Sequence, residues 1–195
     1  MRFNVYTTVF VIVLVIFGIA LAHRLNNAPK PIAVSYNQLT AEARKEVKCL
    51  ADNIYFEAGF EPVEGQVAVA LVTLNRTEDS RYPKTICGVV KQRIQHVCQF
   101  SWWCEPRKKM NDEVYNSVMQ IALHVYANQE LLKDITHGAL FYHADYVNPR
   151  WRGVEKTTKI GRHIFYKEKD NVTKVEPAVE ERSGSPFIFL AYGRN

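Results

Sequence analysis

The sequence predicts an α+β fold, mainly helical, with a small antiparallel β-sheet late in the chain. Three observations lead to it. Of 195 residues, 47% are hydrophobic and 12% aromatic, enough for one core of ordinary domain size and too many for a disordered chain. From Thr40 to Val125, apolar residues recur at helical spacing behind residues that cap helices. Beyond His137-Gly138 the pattern turns to short aromatic and β-branched runs, separated by Pro149, Trp151 and Gly153.

Taken in order, the chain opens with eighteen uncharged residues, Val5 to Ala22, nine of them in the unbroken apolar run Val9 to Phe17. At about 1.5 Å per helical residue this segment reaches roughly 27 Å, close to the ~30 Å of a bilayer's hydrocarbon. Residues 1–22 are expected to be a signal anchor, holding the membrane through 5–22, or a signal peptide cut after Ala20-Leu21-Ala22. Either one exports the rest of the chain to a periplasmic or extracellular location. Residues 23–39 contain Pro29 and Pro31 and little periodicity, the composition of a linker.

The domain is expected over residues 40–169. Thr40 caps a helix with the stripe Val47, Leu50, Ala51, Ile54 and Ala58, stopped by Gly59. Pro62 suits the first turn of a second helix, which is apolar on every side from Val67 to Val72 and ends near Asn75-Arg76. Thr85 caps a short helix through Ile86 to Val90, and Asn111 caps a longer one with Val114, Val118, Ile121, Ala122 and Val125 on one face. Ala139 to His143 and Ile160 to Tyr166 are the expected strands. Residues 170–195 form a polar tail in which the apolar run Pro186 to Tyr192 has no assigned role.

The net charge of +5 is unevenly placed. Arg2 is the one charged residue in 1–22, and the tail has three basic against four acidic residues, so the excess lies on residues 23–169. A basic body favours anionic partners. The longest basic run, Arg107-Lys108-Lys109, lacks the density and interleaved aromatics of a nucleic-acid groove, so no nucleic acid is expected. In an exported chain, Cys49, Cys87, Cys98 and Cys104 can form two disulfides in three connectivities. The favoured pairing is Cys98 with Cys104, enclosing Gln99 to Trp103, and Cys49 with Cys87. Zinc is disfavoured because the spacings of 38, 11 and 6 contain no C-x-x-C knuckle.

On a helical wheel of about 100° per residue, Glu57 falls only about 20° from Leu50, on the edge of the buried stripe. A carboxyl there must be paired, open to a cleft, or protonated, and a raised pKa makes a general acid. On the wheel alone, a glutamate that bends to solvent is the plainer reading. Cleaving a glycosidic bond needs such an acid together with aromatic surfaces for sugar faces. Phe100, Trp102 and Trp103 lie in the short cysteine loop, and Tyr142, Tyr146 and Trp151 lie in the sheet region.

Three stretches carry a resemblance to a known family: Cys49 to Arg76 (CLADNIYFEAGFEPVEGQVAVALVTLNR), Tyr82 to Val90 (YPKTICGVV) and Cys98 to Cys104 (CQFSWWC). With Ala139 to His143 and Lys159 to Phe165, they resemble the cell wall hydrolase family typified by the spore cortex-lytic enzyme SleB, over roughly residues 47–168. The resemblance implies a lysozyme-like domain that cleaves the bond from N-acetylmuramic acid to N-acetylglucosamine in peptidoglycan glycan strands by a transglycosylase chemistry, with Glu57 as its single catalytic carboxyl. It implies substrate contacts at Glu61, Gln66, Thr77, Phe100, Ser101, Trp102, Tyr142 and His143, with Asn75 and Arg76 bordering the cleft. His143 and His163 are equally readable as structural histidines. Where many relatives carry a basic residue, this chain has Phe60, within Ala58-Gly59-Phe60-Glu61. No cofactor or metal is implied, and a monomer is expected. Two rivals are a metal-dependent wall amidase or peptidase, for which His96, His124, His137, His143 and His163 show no H-E-x-x-H spacing, and a non-catalytic wall-binding protein.

Overall fold

The computed structural model describes residues 5–26, 30–106 and 109–169. The expected tail, 170–195, and the Arg107-Lys108 part of the basic run lie outside the described residues. The chain divides into two units, Met1–Pro31 and Ile32–Asn195.

In the first unit, helix α1 spans Val5–Asn26, and every side chain from Val9 to His23 is exposed. Among the described residues, no helix is long and apolar enough to cross a membrane. The expected membrane anchor therefore finds no support in the structure.

The second unit is built on three long helices: α2 (Ala41–Ala58), α3 (Val63–Glu78) and α6 (Asp112–Ala127). Between them lie α4 (Ile86–Val90), a hairpin of β1 (Arg93–Ile94) with β2 (Val97–Cys98), and the single turn α5 (Ser101–Cys104). Each expected cap is in place. Thr40 accepts from Ala43 N, Thr85 from Gly88 N and Asn111 from Val114 N, satisfying N–H groups that a first helical turn leaves free. α3 is buried from Ala68 to Leu74 on all sides, as its unbroken apolar run requires, and packs against α2, α4 and α6. Val47, Leu50 and Ile54 of α2 and Val118, Ala122 and Val125 of α6 complete the core with Val89 and Val90.

Residues 32–39 already belong to this unit. Ile32 N donates to Asn128 Oδ1 at 2.6 Å, Asn128 Nδ2 donates back to Ile32 O at 3.2 Å, and Tyr36 and Leu39 pack on the core. The linker reading of 23–39 thus gives way to anchored chain at Ile32, because a buried asparagine satisfies that backbone.

The sheet has order β3-β5-β4, all antiparallel, from β3 (Phe141–Ala144), β4 (Val154–Ile160) and β5 (His163–Glu168). The expected strand Ile160 to Tyr166 is in fact two strands. Gly161, at φ +56°, turns the chain at a backbone angle that suits glycine. A Cβ there would also run into the Glu61 carboxylate, whose Oε2 accepts from Arg162 N at 2.9 Å. Tyr142 pairs with Phe165 across β3 and β5 and turns its ring inward, against Phe165 and His163. The structure pairs Cys49 with Cys87 and Cys98 with Cys104, the favoured connectivity, which ties α2 to α4 and closes the β2–α5 loop.

Candidate active site

Glu57 lies in the last turn of α2, on the edge of the buried stripe, and is 7% exposed. Tyr142, fully buried, donates its hydroxyl to Glu57 Oε2 at 3.1 Å. Burial pushes the Glu57 carboxyl up to about 8, opposed by the Tyr142 hydrogen bond, the positive charge of Arg76 and the indole of Trp102. The Tyr142 hydroxyl is itself pushed well up by burial and by the facing carboxyl, so it remains a donor. At neutral pH the site holds a protonated acid.

Arg76 is completely buried, in the last turn of α3. Its Nε and Nη2 both donate to Leu140 O, at 2.9 and 2.7 Å, and its guanidinium stands over Tyr82 and Phe100 at 5.4 and 5.5 Å from the ring centres. Next to it, Asn75 Nδ2 donates to Asp134 Oδ2, Thr136 Oγ1 and Ala139 O. Asp134 in turn receives Thr136 N and Gly138 N. The end of α3 therefore holds the two residues that lead into β3. That placement delivers Tyr142 to Glu57, and it makes Arg76 both a scaffold bond and the cation nearest the acid.

On the other side, Trp102 stacks on Phe56 with ring centres 4.6 Å apart and planes 19° from parallel. Its Nε1–H is buried and near enough to Glu57 to favour the charged carboxylate, yet it makes no full hydrogen bond at rest. Phe56, Trp102 and Trp103 remain half-exposed beside the acid. They form an apolar border of the kind that accepts the C–H face of a sugar.

Residues 60–166, more than half of the chain, match the cell wall hydrolase family. The chain belongs to that family. Among curated relatives, it is 31% identical over 137 residues to a spore cortex-lytic enzyme of Oceanobacillus iheyensis, covering 68% of this chain and 45% of that protein. It is 28% identical over 148 residues to a spore cortex-lytic enzyme of Bacillus subtilis, covering 72% and 45%. The cell wall hydrolase chain thus spans about half the length of these relatives. Among solved structures, it is similar to the catalytic domain of the Bacillus cereus SleB protein (TM-score 0.47, 24% identity, 72% of this chain and 99% of that one). It is also similar to the catalytic domain of a germination-specific lytic transglycosylase SleB from Bacillus anthracis (TM-score 0.45, 28% identity, 67% and 98%). The family match begins just after Glu57, so the acid's assignment rests on its geometry.

In this member of the cell wall hydrolases, the residues expected at the site fall into two groups. Glu57, Tyr142 and Trp102 come together, and Ser101 is exposed at the start of α5. The others are occupied elsewhere. Glu61 ties the α2–α3 junction to the β4–β5 turn, and Gln66 Nε2 donates to Glu61 O at 2.9 Å. Phe100 is fully buried and offers no face to a ligand. His143 is one residue from Tyr142 and therefore points to the opposite side of β3, where Nδ1 faces Ala144 O and Nε2 faces the Tyr166 hydroxyl. Thr77 back-bonds to Leu74 O and lines a separate cleft of about 450 Å³ with Glu42, Glu46 and Tyr126. Arg76, expected at the border of the cleft, is instead a buried cation acting on Glu57, and Asp134, which holds Asn75, Thr136 and Gly138, was not foreseen.

Proposed function

We propose that this cell wall hydrolase is an exported glycosidase that cleaves the N-acetylmuramic acid to N-acetylglucosamine bond of peptidoglycan by lytic transglycosylation, with Glu57 as its one catalytic carboxyl. The observation that carries this reading is a protonated, nearly buried carboxyl beside half-exposed aromatic rings. Tyr142 donates to Oε2, so the acidic proton sits on Oε1. That proton passes to the bridging oxygen as the glycosidic bond breaks, and the N-acetylglucosamine end leaves as an alcohol. The resulting carboxylate is the species that Tyr142, Arg76 and the Trp102 indole stabilise. It then takes the proton of the muramoyl C6 hydroxyl while that oxygen bonds to C1, which closes a 1,6-anhydro ring and restores the acid.

Transglycosylation, rather than hydrolysis, is supported by the engagement of Glu61, the nearby carboxylate in sequence, with Arg162 N. The lysozyme-like lineage belongs to this same reading. Export is supported by the apolar segment before His23 and by two disulfides, which persist in oxidising compartments. The test is mass spectrometry of muropeptides released from purified wall. Anhydro-muramic ends are expected. Reducing muramic ends would mean hydrolysis, and free stem peptides would overturn the bond assignment.

A further inference from the structure

Apart from the disulfide and the buried Phe100, the loop closed by Cys98 and Cys104 has little regular structure to hold it. α5 is four residues long, far below the length at which a helix stands alone, and β1 and β2 pair through two residues each with Arg93, Ile94 and Val97 exposed. The loop nonetheless carries Trp102, which is placed by three constraints: the stack on Phe56, a tilted contact with the buried Phe100 at 6.5 Å, and the disulfide two residues further on. Its indole Nε1–H is a buried donor without a full hydrogen bond, near enough to Glu57 to favour the charged carboxylate. Such a donor costs stability while its acceptor is neutral and is satisfied when the acceptor becomes charged. The arrangement therefore favours the carboxylate that proton transfer creates.

We propose that Trp102 is a positioning residue for Glu57, and that the Cys98–Cys104 disulfide holds it there, so that the competence of the acid depends on an oxidised loop. The inference rests on Glu57 being the acid. The other titratable groups set against that carboxyl are Arg76 of α3 and Tyr142 of β3, with Tyr82 beside Arg76 and His163 against the Tyr142 ring. None belongs to the loop; Arg76 touches it through the buried Phe100, whose ring centre lies 5.5 Å from the guanidinium.

The two disulfides differ in access. Cys104 is exposed, whereas Cys49 and Cys87 are 5% and 6% exposed, so mild dithiothreitol opens the loop first. In that exchange the dithiol gives two electrons and two protons to the cystine, leaving two protein thiols and its own cyclic disulfide. Alkylation and peptide mapping verify which pair has opened.

Two perturbations should push Glu57 in opposite directions. Trp102→Phe keeps the stack and removes the donor, so the carboxyl pKa rises and kcat falls ~10-fold or more with the melting temperature little changed. Opening the loop, by reduction or by Cys98→Ser with Cys104→Ser, admits water, so the pKa falls and lysis drops at neutral pH. The double variant should also ignore dithiothreitol. A carbon-13 titration of the Glu57 carboxyl reads both shifts without any substrate. An unmoved titration in Trp102→Phe, or a loop-reduced protein that keeps its full rate and titration, would overturn the proposal. If the wild type releases no muropeptides while both shifts appear, the proposal stands and the substrate reading fails.

Discussion

The two ends of α2 hold carboxylates in opposite surroundings. At the N-terminal end, Glu42 is exposed and Glu46 is half-buried, its Oε2 accepting from Cys87 N at 3.0 Å, beside a cleft of about 450 Å³. At the C-terminal end stands Glu57. It has a cover of Tyr142, Arg76 and Trp102 that leaves it 7% exposed and raises its pKa to about 8. Exclusion of water, rather than volume, is what turns an ordinary glutamate into an acid that still carries its proton at neutral pH.

This contrast can be broken most directly by substitution at each end. Glu57→Gln should lower wall lysis by about 10²- to 10⁴-fold, the usual contribution of a general acid, while Glu42→Gln stays within about twofold of wild type. Turbidity loss of purified wall suspensions measures both. Equal losses at the two ends would erase the distinction.

Next in size is Arg76→Met. It removes both donors from the buried Leu140 carbonyl and the cation nearest the acid, and should destabilise the fold by about 2–4 kcal/mol in urea unfolding. In the surviving folded fraction the alkaline limb of activity should move to higher pH, since the charge of Arg76 lowers the Glu57 pKa.

A stability measurement sharpens the same comparison. The unfolded chain releases the Glu57 proton near 4.5 and the folded chain near 8, so between these values the native state binds more protons and loses stability as pH rises. Glu57→Gln should therefore melt higher than wild type at pH 8, by on the order of a few kcal/mol, with the gain vanishing toward pH 4. Glu42→Gln should show no such pH-dependent gain. The smallest effect is expected away from both ends: Gly161→Ala, forced to positive φ against the Glu61 carboxylate, should cost about 1–3 kcal/mol in thermal unfolding.

The helices were legible because their signals are local. Thr40, Thr85 and Asn111 each cap an N–H three residues ahead, and the all-round apolar run of α3 fits only a central helix. The strands were less so. One β-branched and aromatic run, Ile160 to Tyr166, hides the turn at Gly161, and the β1–β2 hairpin turns on Gln95 and His96 at positive φ, without the glycine that announces such turns. At the site, the wheel put Glu57 on the edge of the buried stripe, and the family resemblance, not the wheel, singled it out as the acid. The burial of Arg76 was not readable, because its partner is a backbone carbonyl 64 residues away. Phe100 and His143 misled for the same reason: neighbours in sequence to residues at the acid, they are turned from it by loop and strand geometry that a motif does not encode.

The claim on which all of this depends is the protonation state of one side chain. A carbon-13 NMR titration of the Glu57 carboxyl, assigned by its loss in Glu57→Gln, reads that state directly. A midpoint near 8 is the predicted result. A midpoint near the ordinary 4.5 would mean the carboxyl is charged at neutral pH, and a general acid at this position would be contradicted.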